Sequence, residues 1–127
     1  MSERIHTLFL AGCGKTHSEK ATVPFVLANI EVEDKAKHVE VVMMFDAATL
    51  AVQGEADGFN VGAPWDSHDL GTRMRDFMAA GGTISVCTPC LIHRKLEDAP
   101  MMEGVVKING RIMLEKKDRA DKILSFV

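Results

Sequence analysis

Basic residues are too few for a protein built around nucleic acid. Lysine and arginine total 15 against 18 aspartates and glutamates, the formal net charge is −3, and no basic stripe runs along the chain. Phosphate backbones are gripped by clustered Lys and Arg, so nucleic acid is excluded as the main partner. Long apolar runs are missing too. The run near the start, residues 7–11, is too short for the core of a signal peptide and far too short to cross a bilayer, so no membrane segment is expected. Cysteine is scarce: three residues, an odd number without framework spacing, which excludes a disulfide scaffold and points to reduced thiols in the cytoplasm. Low-complexity tracts and internal repeats are absent. Trp65 is the only tryptophan, at the end of a Gly-rich stretch. The simplest role for it is to pack that stretch onto the body of the protein, with substrate stacking as the alternative.

What is present is ordinary for one globular domain spanning residues 1–127, with 46% apolar and 26% charged residues, enough for a proper core. Residues 5–11 read as a first strand closed by Gly12-Cys13-Gly14. A helix follows, with Ser18 as its cap and Val23, Val26, Leu27 and Ile30 along one face; Pro24 leaves open whether it begins near Thr22 or is kinked. Residues 38–46 form a nearly continuous apolar strand, 47–52 a short helix, and 53–65 a long loop. Asp66 or Ser67 caps the next helix, which buries Leu70, Met74, Phe77 and Met78 and stops at Gly81. Residues 83–87 are a β-branched strand that runs into a helix reaching about Leu96, with Thr88 as N-cap and Pro89 at its first position. After a connector, 104–108 is a weaker strand, 110–120 a polar helix, and 122–126 the last strand. Strand and helix alternate throughout. The fold class is therefore α/β, a three-layer α/β/α sandwich with a five-stranded, mainly parallel sheet. Ligands of such sheets bind beyond the carboxyl ends of the strands, where Cys13, Cys87 and Cys90 all fall.

The Cys87-Thr88-Pro89-Cys90 stretch admits several chemistries. A thiolate at a strand end beside a helix start can attack, or carry sulfur as a persulfide, because the helix N-terminus favours the anion. The same spacing serves dithiol–disulfide exchange, although thioredoxin-like chains carry it much earlier. A metal reading needs two further ligands, which Cys13 and His17 would have to supply. Two inert buried thiols are the bland alternative. Arg94, one turn beyond Cys90, is placed to steady an anion, or else belongs to a solvated basic patch with His93 and Lys95. The Gly14-Lys15-Thr16 run sits where a phosphate loop would, and the apolar strand ending in Asp46 resembles the magnesium-binding strand of such proteins. The first glycine of that pattern is replaced by Phe9, so nucleotide hydrolysis is set aside and only a small anion fits the loop. No cofactor pattern is found. Met43 and Met44 read as core; Met101, Met102, Trp65 and the Gly-rich loop are candidate interface elements.

The stretch from Gly81-Gly82-Thr83-Ile84-Ser85-Val86-Cys87 through Thr88-Pro89-Cys90-Leu91-Ile92-His93-Arg94 resembles the signature of the DsrE/DsrF-like proteins, a family associated with sulfur relay. The first strand with its Gly-Cys-Gly end, the helix around Leu27-Ala28-Asn29 and the terminal Ala120-Asp121-Lys122-Ile123-Leu124-Ser125-Phe126 resemble it as well. Where members often have Gly after the basic residue, this chain has Lys95. The resemblance implies a five-stranded α/β/α fold, assembly into homo-trimers or homo-hexamers, and a persulfide carrier at Cys87. A sulfur-relay or sulfurtransferase-like role follows, with sulfur donor and acceptor proteins as partners, Cys90 tuning or resolving the persulfide and Arg94 steadying its charge. The alternatives are a non-catalytic oligomeric module that binds an anion or metal at the same edge, and a small dithiol oxidoreductase using Cys87 and Cys90.

Overall fold

A computed structural model describes residues 3–127. The elements run β1 (Ile5–Ala11), α1 (Ser18–Val32), β2 (Val39–Met43), α2 (Leu70–Ala79), β3 (Thr83–Cys87), α3 (Thr88–His93), β4 (Val106–Ile108), α4 (Gly110–Arg119) and β5 (Ala120–Phe126), with 3-10 segments at Lys15–His17 and Phe45–Ala51. The strands form one sheet in the order β4-β3-β2-β1-β5, and every neighbouring pair is parallel. The α/β architecture with five parallel strands is the one read from the alternation of elements.

The two faces of the sheet are covered unequally. On one, Phe9, Val41, Met43, Ile84 and Val86 pack with Phe25 and Ala28 of α1 and Met74 and Phe77 of α2. The Phe25 and Phe77 rings meet edge-on at 6.5 Å, and Asn29 Nδ2 donates to the Arg73 carbonyl at 3.0 Å, so α1 and α2 are locked together as well. The other face carries a smaller cluster of Ile5, Leu8, Val42 and Ile108, covered by Met113 of α4. Beneath α4 lies a buried ion pair, Lys116 Nζ donating to Glu40 Oε1 at 2.5 Å. Among the described residues no helix is long and apolar enough to cross a membrane.

Several local expectations are corrected. The helix α1 begins at Ser18 and runs through Pro24, which is buried inside it. Its core face is Ala21, Thr22, Phe25, Ala28 and Val32, whereas Leu27 and Ile30 are exposed. Both faces of α1 are apolar, and periodicity alone picked the outer one. The helix α2 is capped by Asp69, not Asp66 or Ser67. Asp69 Oδ1 accepts from Thr72 N–H at 2.9 Å and Oδ2 from Gly58 N–H; these bonds, Thr72's foremost, hold its carboxyl down to about 2. The helix α3 stops at His93 instead of Leu96, and Thr88 is its first residue while Cys87 occupies the N-cap. Met102 is buried in its own chain's core, its N–H bonded to the Ala51 carbonyl at 2.8 Å, so it is no interface residue. Trp65 is half-buried, and its carbonyl accepts from Arg73, which ties the loop to α2.

Candidate functional site

The centre of the sheet delivers Cys87 to the carboxyl edge. The strand β3 lies between β2 and β4, with Val86 opposite Met43 on β2 and Cys87 opposite Ile108 on β4. Its start is fixed by Gly82, where a Cβ would run into the Phe77 ring. Side chains alternate along a strand, so Ser85 and Cys87 share the face that α4 covers. Cys87 is half-buried and Cys90, in the first turn of α3, is half-buried beside it.

Both cysteines line an apolar pocket of about 200 Å³. Its other walls are Val42, Met44 and Phe45 from β2 and the turn after it, and Ile108, Asn109, Gly110 and Met113 from β4 and α4. Asn109 caps α4 there, its Oδ1 accepting from Ile112 N–H at 2.9 Å. Among the described residues that line it, none besides the two cysteines carries an ionisable side chain.

Charge enters from one side. Arg94 Nε and Nη2 donate to Asp46 Oδ1 at 3.1 and 2.7 Å, and Nη1 donates to the Cys90 carbonyl at 3.1 Å. Asp46 follows Phe45 in the turn after β2, and Phe45 N–H donates to Cys90 Sγ at 3.1 Å. Arg94 thus joins the end of α3 to that turn, with its charge already partnered by a carboxylate.

The thiol of Cys87 departs from expectation. Burial pushes it above the ordinary cysteine value, and the adjacent Cys90 sulfur adds to the rise. The Cys90 N–H, which favours the anion without closing a capping bond, and the more distant Arg94 charge do not outweigh this. The lowering anticipated from a helix start is therefore outweighed by burial and by the Cys90 sulfur.

The remaining residues singled out in the sequence are not gathered here. Cys13 is half-buried on the loop after β1, and His17 is exposed, its Nδ1 against Thr16 Oγ1 at 3.2 Å. Among the described residues no group of three or more His, Cys, Asp or Glu is close enough to hold a metal ion, so the Cys13, His17, Cys87 and Cys90 set is not a metal centre. Lys15 approaches Glu55 at 4.0 Å and the Phe59 ring at 6.0 Å, while Asp46 is engaged by Arg94. The phosphate-loop elements are therefore committed elsewhere. Sequence reasoning missed Phe45, Asp46 and the Asn109–Met113 wall as parts of this site. Asp46 did stand out, as the end of an apolar strand, but under a different chemistry.

The pattern of the DsrE/DsrF-like family matches residues 6–126. Among solved structures, the YchN protein from E. coli superposes with a TM-score of 0.80 at 19% identity, covering 95% of this chain and 98% of that one. BT1422 from Bacteroides thetaiotaomicron, described as a conserved protein of unknown function, superposes with a TM-score of 0.67 at 14% identity over 94% and 93% of the two chains. These structures share the fold. No curated protein sequence matches this one.

Proposed function

Since the chain belongs to the DsrE/DsrF-like family, we propose that it is a sulfur-relay protein carrying sulfane sulfur as a persulfide on Cys87. Its partners are a sulfur donor protein and an acceptor protein, and it acts in the cytoplasm. The observation that carries the reading is the half-buried Cys87 at the carboxyl edge of the sheet, on the wall of an apolar pocket.

The Cys87 thiolate attacks the outer sulfur of a donor persulfide. A sulfur–sulfur bond forms at Cys87, the donor's bond breaks, and the donor leaves as its own thiolate. The proton that Cys87 must first give up goes to solvent. A second attack, by the acceptor's thiolate on the outer sulfur, returns Cys87 to its starting form. Apolar walls suit such a cargo, because a persulfide shielded from bulk water meets fewer competing nucleophiles. Arg94 acts here as a positioning residue through Asp46 and the Cys90 carbonyl.

The test is intact-mass and peptide mass spectrometry after exposure to inorganic polysulfide. The parent gains the mass of one sulfur on the Cys87 peptide, and Cys87→Ser does not. Because the Cys87 thiol is raised, loading quickens as pH climbs past the ordinary cysteine range. Equal loading of parent and Cys87→Ser sinks the assignment.

A further inference from the structure

Two sulfurs sit on this pocket, and the turn after β2 aims a backbone donor at one of them. Phe45 N–H points at Cys90 Sγ, 3.1 Å away. Cys87 Sγ, at the N-cap of α3, closes no capping bond, and the Cys90 N–H that acts on it is outweighed by burial. The donor is held in place against a local preference. Phe45 has φ 53, in the left-handed region that a side chain with a Cβ rarely adopts. The residue is 52% exposed, so burial does not account for the conformation. The surrounding bonds do. Arg94 grips Asp46, the next residue, through two hydrogen bonds and reaches the Cys90 carbonyl with a third. Together with Phe45 N–H they fasten the turn after β2 to the first turn of α3. The N–H holds the Cys90 sulfur in one orientation beside Cys87, and a fixed sulfur next to a sulfur–sulfur bond is placed for thiol–disulfide exchange.

We propose that Cys90, poised by the Phe45 N–H, is a resolving sulfur that attacks a persulfide on Cys87, so that this protein also discharges its cargo as hydrosulfide. This rests on the persulfide reading of Cys87. The Cys90 thiolate attacks the inner sulfur, Cys87 Sγ. A Cys87–Cys90 bond forms, the bond from Cys87 Sγ to the outer sulfur breaks, and the electron pair leaves with that sulfur as HS⁻. Cys90 is oxidised from thiolate to disulfide while the outer sulfane sulfur is reduced to sulfide. An external dithiol then reopens the pair, becoming a disulfide itself and supplying the two electrons and two protons. Discharge and relay compete: an acceptor thiolate that reaches the outer sulfur before Cys90 reaches the inner one takes the sulfur intact.

The experiment loads the full chain with inorganic polysulfide, removes the excess, and follows sulfide release and peptide masses without added thiol. The parent releases sulfide and accumulates a Cys87–Cys90 disulfide. Cys90→Ser keeps the extra sulfur on Cys87 and releases sulfide at least tenfold more slowly. Equal release rates in the two proteins, or a parent that holds its persulfide with Cys90 still free, overturn the inference and leave the relay reading standing. If neither protein ever gains sulfur at Cys87, the relay reading is the one that fails. A second probe then decides the resolving role alone. After reaction with substoichiometric 5,5′-dithiobis(2-nitrobenzoate), the parent shows a closed Cys87–Cys90 pair without adduct, and Cys90→Ser retains the mixed disulfide on Cys87. A parent adduct as long-lived as the variant's overturns it.

Discussion

At Lys95 the backbone asks for a residue the chain does not have. The end of α3 closes with Leu96 N–H bonded to the Leu91 carbonyl at 2.8 Å and Lys95 N–H to the Ile92 carbonyl at 3.0 Å, the paired bonds of a Schellman turn. The turn requires a left-handed residue, and Lys95 supplies it at φ 59 with its side chain exposed. Replacing Lys95 by Gly removes the Cβ penalty, partly offset by the greater freedom of Gly in the unfolded chain. Lys95→Gly is therefore expected to stabilise the protein by about 0.5–1 kcal/mol. Urea unfolding monitored by circular dichroism reads this, and an unchanged or lowered midpoint contradicts it. The same kind of conformation explains why half of the candidate site could not be read from sequence. Cys87, Cys90 and Arg94 are marked by their spacing on one short segment. Phe45 is 45 residues away from Cys90. It enters through its backbone N–H and a positive φ, and neither leaves a trace in residue type. Asp46 was visible only as a strand-terminal carboxylate, and the chain itself does not say which cation it meets.

Elements follow the same division. The strands were legible because a parallel sheet covered on both faces demands nearly continuous apolar runs, as in Val39–Met43, where all five residues are buried and Glu40 alone is polar. Helix ends and faces were not. The helix α1 is apolar around most of its surface, and only tertiary packing chooses Phe25 over Ile30. The helix α4 hid its anchor for a related reason: Lys116 looks like a solvated charge until the fold sets it above Glu40. Glu40 is shared with His38, whose Nε2 lies 2.7 Å from Oε2 and whose Nδ1 lies 3.0 Å from Glu3 Oε1. Burial alone disfavours the charged imidazole, but hydrogen bonds to Glu3 and Glu40, aided by their charge, win and raise the His38 pKa. A folded value above the unfolded one means the folded state binds the proton more tightly. The stabilisation is complete below the unfolded histidine value, about 6.5, and fades as pH rises through the higher folded value. His38→Gln should therefore cost more stability at pH 5.5 than at pH 8.5. Urea midpoints of parent and variant at the two pH values measure this, and an equal deficit at both removes the ionic contribution.

For the molecule as a whole, the question is where apolar surface remains rather than how much. The accessible area of 6690 Å² matches the roughly 6,700 Å² that size scaling gives for a compact monomer of this mass. Yet the apolar exposure is concentrated. The edge strand β5 has only its two ends half-buried and leaves Ile123 and Leu124, which point to opposite faces, 43% and 45% exposed. Nearby on the thinly covered face, α4 exposes Ile112 and Leu114. An edge strand seven residues long, with apolar side chains on both sides, is a surface that isolated proteins usually guard with charge or cover. Asp121 and Lys122 guard only its beginning. The trimers or hexamers implied by the family resemblance would supply such a cover. In sedimentation velocity the parent is accordingly expected to run as a trimer or hexamer. The double variant Ile123→Asp/Leu124→Asp, with its circular dichroism unchanged, should run as a smaller species. A monomeric parent refutes assembly, and a double variant that assembles like the parent moves the interface away from β5. The pocket with Cys87 opens on the same face as α4, so a loss of assembly accompanied by faster sulfur loading would mean that the neighbouring subunit also screens the thiol.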